Sequence, residues 1–384
     1  MRLLHTSDWH LGRGLHGVSL IDDQRYLLEQ FIELARQWRP HVVVIAGDVY
    51  DRAVPPTEAV CLLDEVLNRL VAQLGLPVVL IAGNHDSGER LNFGADLLRN
   101  HGLHVAGQPS TGRPPVVLCD EHGPVHVHAV PYAEPAVVRH QLDRPELQGH
   151  AEALGCLLDA IRERRVAGTR SVLVGHCFVG GGQVSESERP LSVGGAGMVD
   201  AAVFTGFDYV ALGHLHRPQT CGDGRVQYSG SLLPYSFGEA GQAKAVLQVE
   251  MDADGRCQVE RITLTPRRQV RCLSGTLADL LASAPSSSSA EDYLMVTLQD
   301  DGPVFDAMGR LREVYPNVLH LERAALTAAA GSDLVPPDHR QTGDAQLFAA
   351  FYAHVTGEDL GPARQEVFAR IADEARRQEG GDAR

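Results

Sequence analysis

The sequence predicts a layered α/β protein. Strands and amphipathic helices alternate over the first 82 residues, which is the pattern of a sheet covered by helices. Two of these strands, 42–46 (VVVIA) and 77–82 (PVVLIA), are continuous apolar runs, so we expect both of their faces to be covered. More short strands follow residue 115, and a length of 384 residues leaves room for a second, smaller domain.

The remaining elements of the larger domain follow from hydrophobic spacing. A strand is expected at 2–6, and a helix at 22–39 ends before Pro40. The inner face of that helix is predicted to consist of Tyr26, Leu27, Phe31, Ile32, Ala35 and Trp38. A second helix begins at Thr57, and a third covers 151–165. Further strands are predicted at 116–118, 125–130, 171–174, 209–212, 226–229, 244–250 and 257–264.

We place the domain boundaries by composition and by the order of elements. Residues 1–265 are the expected catalytic domain, and 266–323 form a small α+β module. An Ala run and two prolines mark 324–340 as a linker, and 341–384 is a tail with helices at 345–355 and 362–377. Because two helices cannot bury their apolar stripes alone, they either dock on their own domain or bind a partner's helix.

Composition narrows the function classes. The net charge of −15 argues against tight DNA binding by the chain alone, and Lys244 is its only lysine, which a coding bias toward arginine explains most simply. The seven scattered cysteines form no CxxC pair, so a disulfide framework or a thiolate zinc site is not expected. No apolar run approaches the roughly 20 residues of a membrane span, and the first residues do not resemble a signal peptide. We therefore expect a cytoplasmic protein.

Five short polar motifs each directly follow an apolar strand. They are Asp8-x-His10, Gly47-Asp48-x-x-Asp51, Gly83-Asn84-His85-Asp86, Gly175-His176 and Gly213-His214-x-His216. The carboxyl ends of strands in α/β folds converge on one edge, where ligands bind, and a glycine allows the sharp turn that each motif needs. We therefore expect these distant residues to meet at one site.

The side chains in these motifs are metal ligands by type. Carboxylate and amide oxygens mixed with imidazole nitrogens, without cysteine, favour Mn, Fe or Zn over Ca. Two ions about 3.5–4 Å apart stabilise both the attacking and the leaving oxygen of a phosphoryl transfer, and they need a bridging carboxylate. Asp48 is our candidate bridge because it is central in the motif order. The candidate ligands, too many for one ion, are Asp8, His10, Asp48, Asn84, His176, His214 and His216.

The motifs differ in specificity. Asp8-x-His10 and Gly175-His176 are each common by chance, and some of the 18 histidines must be surface residues. The motifs at 83–86 and 213–216 are hard to explain as packing, because polar residues directly after a buried strand suit no core role. Cys177, beside His176, is interpreted as a small buried residue.

Together these motifs resemble the calcineurin-like metallophosphoesterases over residues 1–265, and within them the SbcD-type nucleases, bacterial relatives of the Mre-type repair nucleases. Ala53 and Asp86 depart from the superfamily's phosphatases, which usually have Gly and Glu there. The resemblance implies a four-layer sandwich of two sheets flanked by helices, with an α+β capping domain and a C-terminal helical pair. The stretches that carry it are HTSDWHLG, GDVYDRA, GNHDSGERL, GHLHRPQ and YSGSLLPYSFGE.

The resemblance also implies a role for each site residue. One metal would be held by Asp8, His10, Asp48 and His216, and the other by Asp48, Asn84, His176 and His214. His85 would protonate the leaving sugar oxygen or stabilise charge there. Asp51 would orient His85 by accepting its other N–H, and water activated by the ions would attack the phosphate. Asp86 and Arg90 could be structural or close to DNA.

The implied function is a Mn²⁺-dependent DNA nuclease with 3′-to-5′ exonuclease and single-strand or hairpin endonuclease activity. It would act on DNA ends as a homodimer in complex with an SbcC-type ABC ATPase. The C-terminal helices would bind the coiled coil of that ATPase, and no membrane partner is expected. Two alternatives stay open. One is a stand-alone phosphatase or cyclic-nucleotide phosphodiesterase of the same superfamily. The other is a non-enzymatic scaffold with a structural metal, which the complete set of ligands makes hard to sustain.

Overall fold

The computed structural model divides into two compact units, Met1–Val270 and Arg271–Arg384. None of the helices in the described part of the chain combines the length and the apolar character that a membrane span requires. The structure describes residues 1–188, 197–283, 289–302, 304–324, 345, 348–349, 352–353 and 359–379.

The first unit contains sixteen complete strands and six α-helices among its described residues. The helices are α1 Ile21–Trp38, α2 Thr57–Asn68, α3 Gly88–Leu91, α4 Ala95–Arg99, α5 Pro135–Leu142 and α6 His150–Arg164. The strands are β1 Arg2–Thr6, β2 Gly14–Leu15, β3 Val18–Ser19, β4 Val42–Ala46, β5 Val78–Ile81, β6 Leu103–Ala106, β7 Val116–Asp120, β8 Gly123–Ala129, β9 Arg170–His176, β10 Phe178–Val179, β11 Met198–Val199, β12 Tyr209–Gly213, β13 Gln219–Cys221, β14 Val226–Tyr228, β15 Ala245–Met251 and β16 Cys257–Thr263.

Two six-stranded sheets form the centre of this unit. The first has the order β16-β15-β1-β4-β5-β6, in which β1, β4, β5 and β6 are parallel and β15 and β16 form an antiparallel edge. The second has the order β13-β14-β12-β9-β8-β7, with β14, β12, β9 and β8 parallel. Each sheet therefore has a parallel core whose strand ends lie along one edge.

The two sheets pack face to face. Val44 and Ile81 of the first sheet share one buried cluster with Val172 and Ala211 of the second. A separate cluster packs the outer side of the second sheet against α6. Val43 is as fully buried as Val44, so both faces of β4 are covered, as its continuous apolar run predicts. The predicted α/β fold of sheets flanked by helices is confirmed.

Some local predictions were wrong or incomplete. Tyr26 is 44% exposed, because the inner face of α1 is displaced toward Asp23, Gln24 and Leu28. Gln24 is buried since its amide donates hydrogen bonds to the carbonyls of Trp9 and His10, at 3.0 and 2.8 Å. The short strand β6 and helix α5 were not predicted at all.

The second unit contains a three-stranded sheet of β17 (Val270–Gly275), β18 (Tyr293–Leu298) and β19 (Val318–Arg323). Helices α7 (Leu277–Ala282) and α8 (Ala307–Val314) share its apolar cluster. Helix α9 covers Pro362–Glu379, where the sequence predicts 362–377. The predicted linker, 324–340, lies outside the described residues except for Ala324, and of the predicted helix at 345–355 the described residues are 345, 348–349 and 352–353.

Candidate metal centre

The motif residues meet where the parallel strands of both sheets end. Asp8 and His10 follow β1, Asp48 follows β4, and Asn84 follows β5 in the first sheet. His176 ends β9 and the histidines at 214 and 216 follow β12 in the second sheet. Since β1, β4 and β5 are neighbours and β9 pairs with β12, short turns are enough to bring all of these side chains together.

Among the described residues the potential metal-ligating atoms form three groups, of which His10, Asp51 and His85 make one and the other two contain only candidate ligands. Asp8, His10 and His216 form the first cluster, and Asp48, His176 and His214 form the second. Within each cluster one ligand atom per residue lies within 4.8 Å of the others, and all six residues are buried. The Oδ2 atom of Asp48 is 3.5 Å from His176 Nε2 and 3.6 Å from His10 Nε2. One carboxylate oxygen therefore faces both clusters.

Asn84 points its amide oxygen toward the second cluster. Its Oδ1 atom lies 3.0 Å from His176 Nε2 and 3.1 Å from His214 Nδ1. Its Nδ2 atom is buried and has no hydrogen-bond partner among the described residues. The amide is thus held with its oxygen, the atom that can ligate a metal, in the site.

Backbone conformation at the ligands is unusual. Of the eight non-glycine residues with positive φ in the described part of the chain, four are candidate ligands: Asp8, His10, Asp48 and His214. Such conformations are uncommon outside glycine and concentrate at functional sites. Gly47, also at positive φ, could not be another residue, because an added Cβ would lie 2.4 Å from His176 Nδ1. The loops are therefore shaped to present ligands at close quarters.

Asp86 ties two ligand loops together. Its carboxylate accepts hydrogen bonds from the backbone N–H groups of Val49, Tyr50 and Gly83, at 3.1, 2.9 and 2.8 Å. These groups belong to the turns after β4 and β5, which carry Asp48 and Asn84. The structure assigns Asp86 a structural role, while Arg90 is exposed.

His85 lies beside the first cluster. Its ring is 4.6 Å from the ring of His10, centroid to centroid, and its backbone N–H donates to Asp48 Oδ1 at 2.9 Å. Its Nδ1 lies 2.7 Å from the backbone carbonyl oxygen of Asp51. Since a carbonyl oxygen only accepts, Nδ1 carries the proton and Nε2 is left for chemistry.

Asp51 faces the Nδ1 atom of His85 with its main-chain oxygen. It holds His85 through its main chain, whereas its carboxylate accepts a hydrogen bond from Arg13 Nη1 at 3.2 Å and lies 3.7 Å from His10 Nδ1. The motif could not reveal this, because every residue type supplies the same carbonyl. A carboxylate oxygen of Asp51 also lies within 4.8 Å of ring nitrogens of both His85 and His10.

Comparison with known families agrees with this geometry. Residues 1–218, more than half of the chain, match the family model of the calcineurin-like phosphoesterases. The chain belongs to the calcineurin-like phosphoesterase family. Residues 266–356 match the SbcD C-terminal model, described as the type 5 capsule protein repressor C-terminal domain. These two matches, in this order along one phosphoesterase chain, support an SbcD-type nuclease subunit.

Solved structures similar to this phosphoesterase include two distant relatives. A protein from Thermus thermophilus is 13% identical, with a TM-score of 0.37, and the match covers 69% of this chain and 99% of that protein. A dimetal phosphatase from Danio rerio is 14% identical, with a TM-score of 0.39 and the same coverage.

The electrostatics of the phosphoesterase site fit divalent cations. Burial raises the pKa of Asp8 to about 8, and the nearby charge of Asp48 adds to this rise although His176 opposes it. Burial also acts on Asp48, but His176 and His10 keep its pKa well below the usual value. Burial disfavours a charged His176, yet Asp48 raises its pKa to about 9. Without ions, protons must therefore neutralise the two carboxylates, and this is the charge that cations would supply.

The tautomers and positions of the histidine rings also suit metal binding. His176 Nδ1 donates to the carbonyl oxygen of Ala46 at 2.9 Å, which leaves Nε2 for a metal. His10 Nε2 and His216 Nε2 face each other at 3.1 Å, as two ligands of one ion would. The arrangement is compatible with two divalent ions, and the chain is a metal-dependent phosphoester hydrolase by family.

Proposed function

We propose that this chain is the nuclease subunit of an SbcCD-type complex and hydrolyses DNA phosphodiester bonds with two Mn²⁺ ions. The observation that carries the proposal is the position of Asp48, whose carboxylate faces both ligand clusters while His85 lies beside them. The match of the C-terminal region to the SbcD model supports DNA as the substrate class. The activities would be 3′-to-5′ exonuclease and single-strand or hairpin endonuclease.

We assign the candidate ligands to the two ions according to the two clusters. Asp8, His10 and His216 would hold one ion, Asn84, His176 and His214 the other, with Asp48 shared. When bound, two such ions lower the pKa of water and neutralise phosphate charge during an in-line displacement. The mixed set of oxygen and imidazole-nitrogen ligands suits Mn, Fe or Zn, and we propose Mn²⁺ among them because the resemblance to the SbcD-type nucleases implies it.

His85 is the proposed general acid. Its Nδ1 proton is committed to the Asp51 carbonyl, so protonation at Nε2 gives a cationic ring that can donate to the leaving sugar oxygen. The rigid contact to the main chain fixes the ring orientation. Asp51 would contribute through that carbonyl and through its carboxylate near His10.

The partner we propose is an SbcC-type ATPase with a coiled coil. Helix α9 exposes Val367 and Ile371, at 47% and 56%, and Phe348 stacks on Phe368 with ring centroids 4.0 Å apart. An apolar helix face of this kind suits a partner helix. The chain's net charge of −15 also favours a partner that contributes the affinity for DNA.

A homodimer is part of the proposal. The first unit exposes apolar side chains from α2, α4 and the loop between α3 and α4: Val60 at 43%, Phe93 at 87%, Leu97 at 77% and Leu98 at 38%. Val60 and Leu98 line the same surface cavity. Exposed apolar residues that lie close together mark association surfaces on soluble proteins. We propose that a second copy of the chain covers them.

The test is a nuclease assay on end-labelled blunt duplex and hairpin DNA with Mn²⁺, with and without a chelator. We expect chelator-sensitive cleavage of both DNAs and little turnover of a small phosphate diester. Turnover of the small diester alone would instead support a stand-alone phosphatase or cyclic-nucleotide phosphodiesterase. Cleavage unaffected by the chelator would contradict the role of the metal ions.

A further inference from the structure

The ring of His216 contacts a side chain that belongs to none of the five motifs. Ser187 lies in the segment after β10, and its Oγ atom is 2.6 Å from His216 Nδ1. The same hydroxyl is hydrogen-bonded to Glu239 Oε1. Glu239 and His216 are buried, with side chains 0% and 1% exposed. A three-residue chain of hydrogen bonds therefore runs from a candidate metal ligand into the protein interior.

The only lysine of the chain completes this arrangement. Lys244 Nζ donates to Glu239 Oε2 at 2.5 Å and to the backbone carbonyl of His216 at 2.9 Å. The lysine is 5% exposed, so its charge and that of Glu239 compensate each other away from water. Glu239 is thereby held as a carboxylate, which can only accept hydrogen bonds.

The donor and the acceptor of each hydrogen bond in this chain follow from the carboxylate of Glu239. Because Glu239 accepts, the hydroxyl of Ser187 must donate to it, and Ser187 then accepts from His216 Nδ1. His216 is thus fixed as the tautomer with hydrogen on Nδ1, and its Nε2 lone pair faces His10 Nε2 in the first cluster. Metal-binding histidines usually donate from the other nitrogen to a carboxylate or carbonyl. Here Ser187 Oγ is the nearest partner of Nδ1, at 2.6 Å, and Glu239 Oε1 lies farther away, at 3.5 Å.

A neighbouring residue holds the main chain of the same ligand. Glu188 Oε1 accepts a hydrogen bond from the backbone N–H of His216 at 2.6 Å. Arg13 fixes the segment from the other side, because its Nη2 donates to the carbonyl oxygen of Ser187 at 2.9 Å. Ring and backbone of His216 are therefore positioned by two adjacent side chains.

We infer that Ser187, backed by Glu239 and Lys244, is a positioning residue for metal binding at the first cluster. It sets the tautomer of His216 and leaves the second cluster, whose His176 is held by the Ala46 carbonyl, unaffected. The inference rests on the proposed two-metal centre. It predicts an asymmetric defect, with one ion weakened and the other retained.

The experiment is a calorimetric titration of the full chain with Mn²⁺ for wild type, Ser187→Ala, Ser187→Thr and Ser185→Ala. Ser185 is the matched control, because its hydroxyl is buried two residues away and has no hydrogen-bond partner among the described residues. We expect Ser187→Ala to keep one ion at wild-type affinity and to bind the other about 10- to 100-fold more weakly. The Ser187→Thr variant, which keeps the hydroxyl, and Ser185→Ala should both resemble wild type.

Two further readouts locate the defect. Anomalous scattering from crystals at limiting Mn²⁺ should show reduced occupancy beside Asp8, His10 and His216 only. Thermal unfolding in chelator should place Ser187→Ala within about 3 °C of Ser185→Ala, as expected when no core packing is lost.

If Ser187→Ala binds two ions at wild-type affinity, or binds both equally more weakly, the role of Ser187 is wrong while the two-metal centre stands. If the wild-type chain binds no Mn²⁺, both the role of Ser187 and the proposed two-metal centre are wrong.

Discussion

His85 is held by the backbone carbonyl of Asp51, at 2.7 Å from Nδ1, and not by the Asp51 side chain. The two residues can therefore be separated by mutation. Any residue at position 51 keeps the carbonyl, while removal of the imidazole deletes the proposed acid.

We expect His85→Ala to keep both metal ions and to lose roughly 10²- to 10⁴-fold in the rate of DNA cleavage, the usual contribution of a general acid. Asp51→Asn should lose less than about tenfold, because the contact to His85 persists. Steady-state cleavage rates and Mn²⁺ titrations of both variants are the measurements. Full activity of His85→Ala would exclude the acid role, and an equally large loss in Asp51→Asn would show that the carboxylate itself is needed.

Asp86 offers a test of how the ligand loops are held. Asp86→Ala leaves the N–H groups of Val49, Tyr50 and Gly83 without their acceptor, and each buried unsatisfied group costs about 1–3 kcal/mol. We expect a loss of at least about 3 kcal/mol in the free energy of unfolding, measured with denaturant in chelator, and weaker Mn²⁺ binding. The Asp86→Asn variant should have a free energy of unfolding between those of wild type and Asp86→Ala. Wild-type stability in Asp86→Ala would contradict the structural role.

The pairing of Asp120, the last residue of β7, predicts that the stability of the protein depends on pH. Arg170 on β9 donates to both of its carboxylate oxygens, one at 2.9 Å, and this pairing holds the pKa of Asp120 well below its ordinary value of 3.8. A lowered pKa in the folded state contributes stability above the unfolded-state pKa. That contribution is lost as pH falls from about 3.8 toward the folded-state value.

Asp120→Asn should therefore cost about 2 kcal/mol at pH 7, and the difference from wild type should shrink below about pH 4. The matched control is Asp223→Asn, since Asp223 pairs with Arg225 but both side chains are more than half exposed, at 59% and 51%. The control should change little at either pH. Denaturant unfolding at pH 7 and pH 3.5 makes the comparison, and a difference that grows in acid would contradict the assigned cause.

The sequence predicted most of the fold, and it predicted that the motif residues meet at one place, because the end of an apolar strand and the start of a polar motif coincide at each of them. Continuous apolar runs such as β4 mark buried strands, and polar residues directly after them have no core role, so Asp48 could be identified as a candidate ligand. The atom of Asp51 that faces His85 Nδ1 could not be identified, because a main-chain contact leaves no trace in residue type. Ser187 lies in a segment without a motif, and its pairing with His216 depends on tertiary folding alone. Tyr26 was misplaced since the buried amide of Gln24 shifts the inner face of α1.

The central claim is that Asp48 is shared by two metal ions. The most direct measurement is the Mn²⁺ stoichiometry and affinity of wild type, Asp48→Asn, Asp8→Asn and Asn84→Ala, determined by calorimetry on the full chain. We expect two ions in wild type, weakening of both in Asp48→Asn, and weakening of mainly one in each of the other variants. A single ion in wild type, or an Asp48→Asn variant that retains one ion at wild-type affinity, would contradict the shared carboxylate.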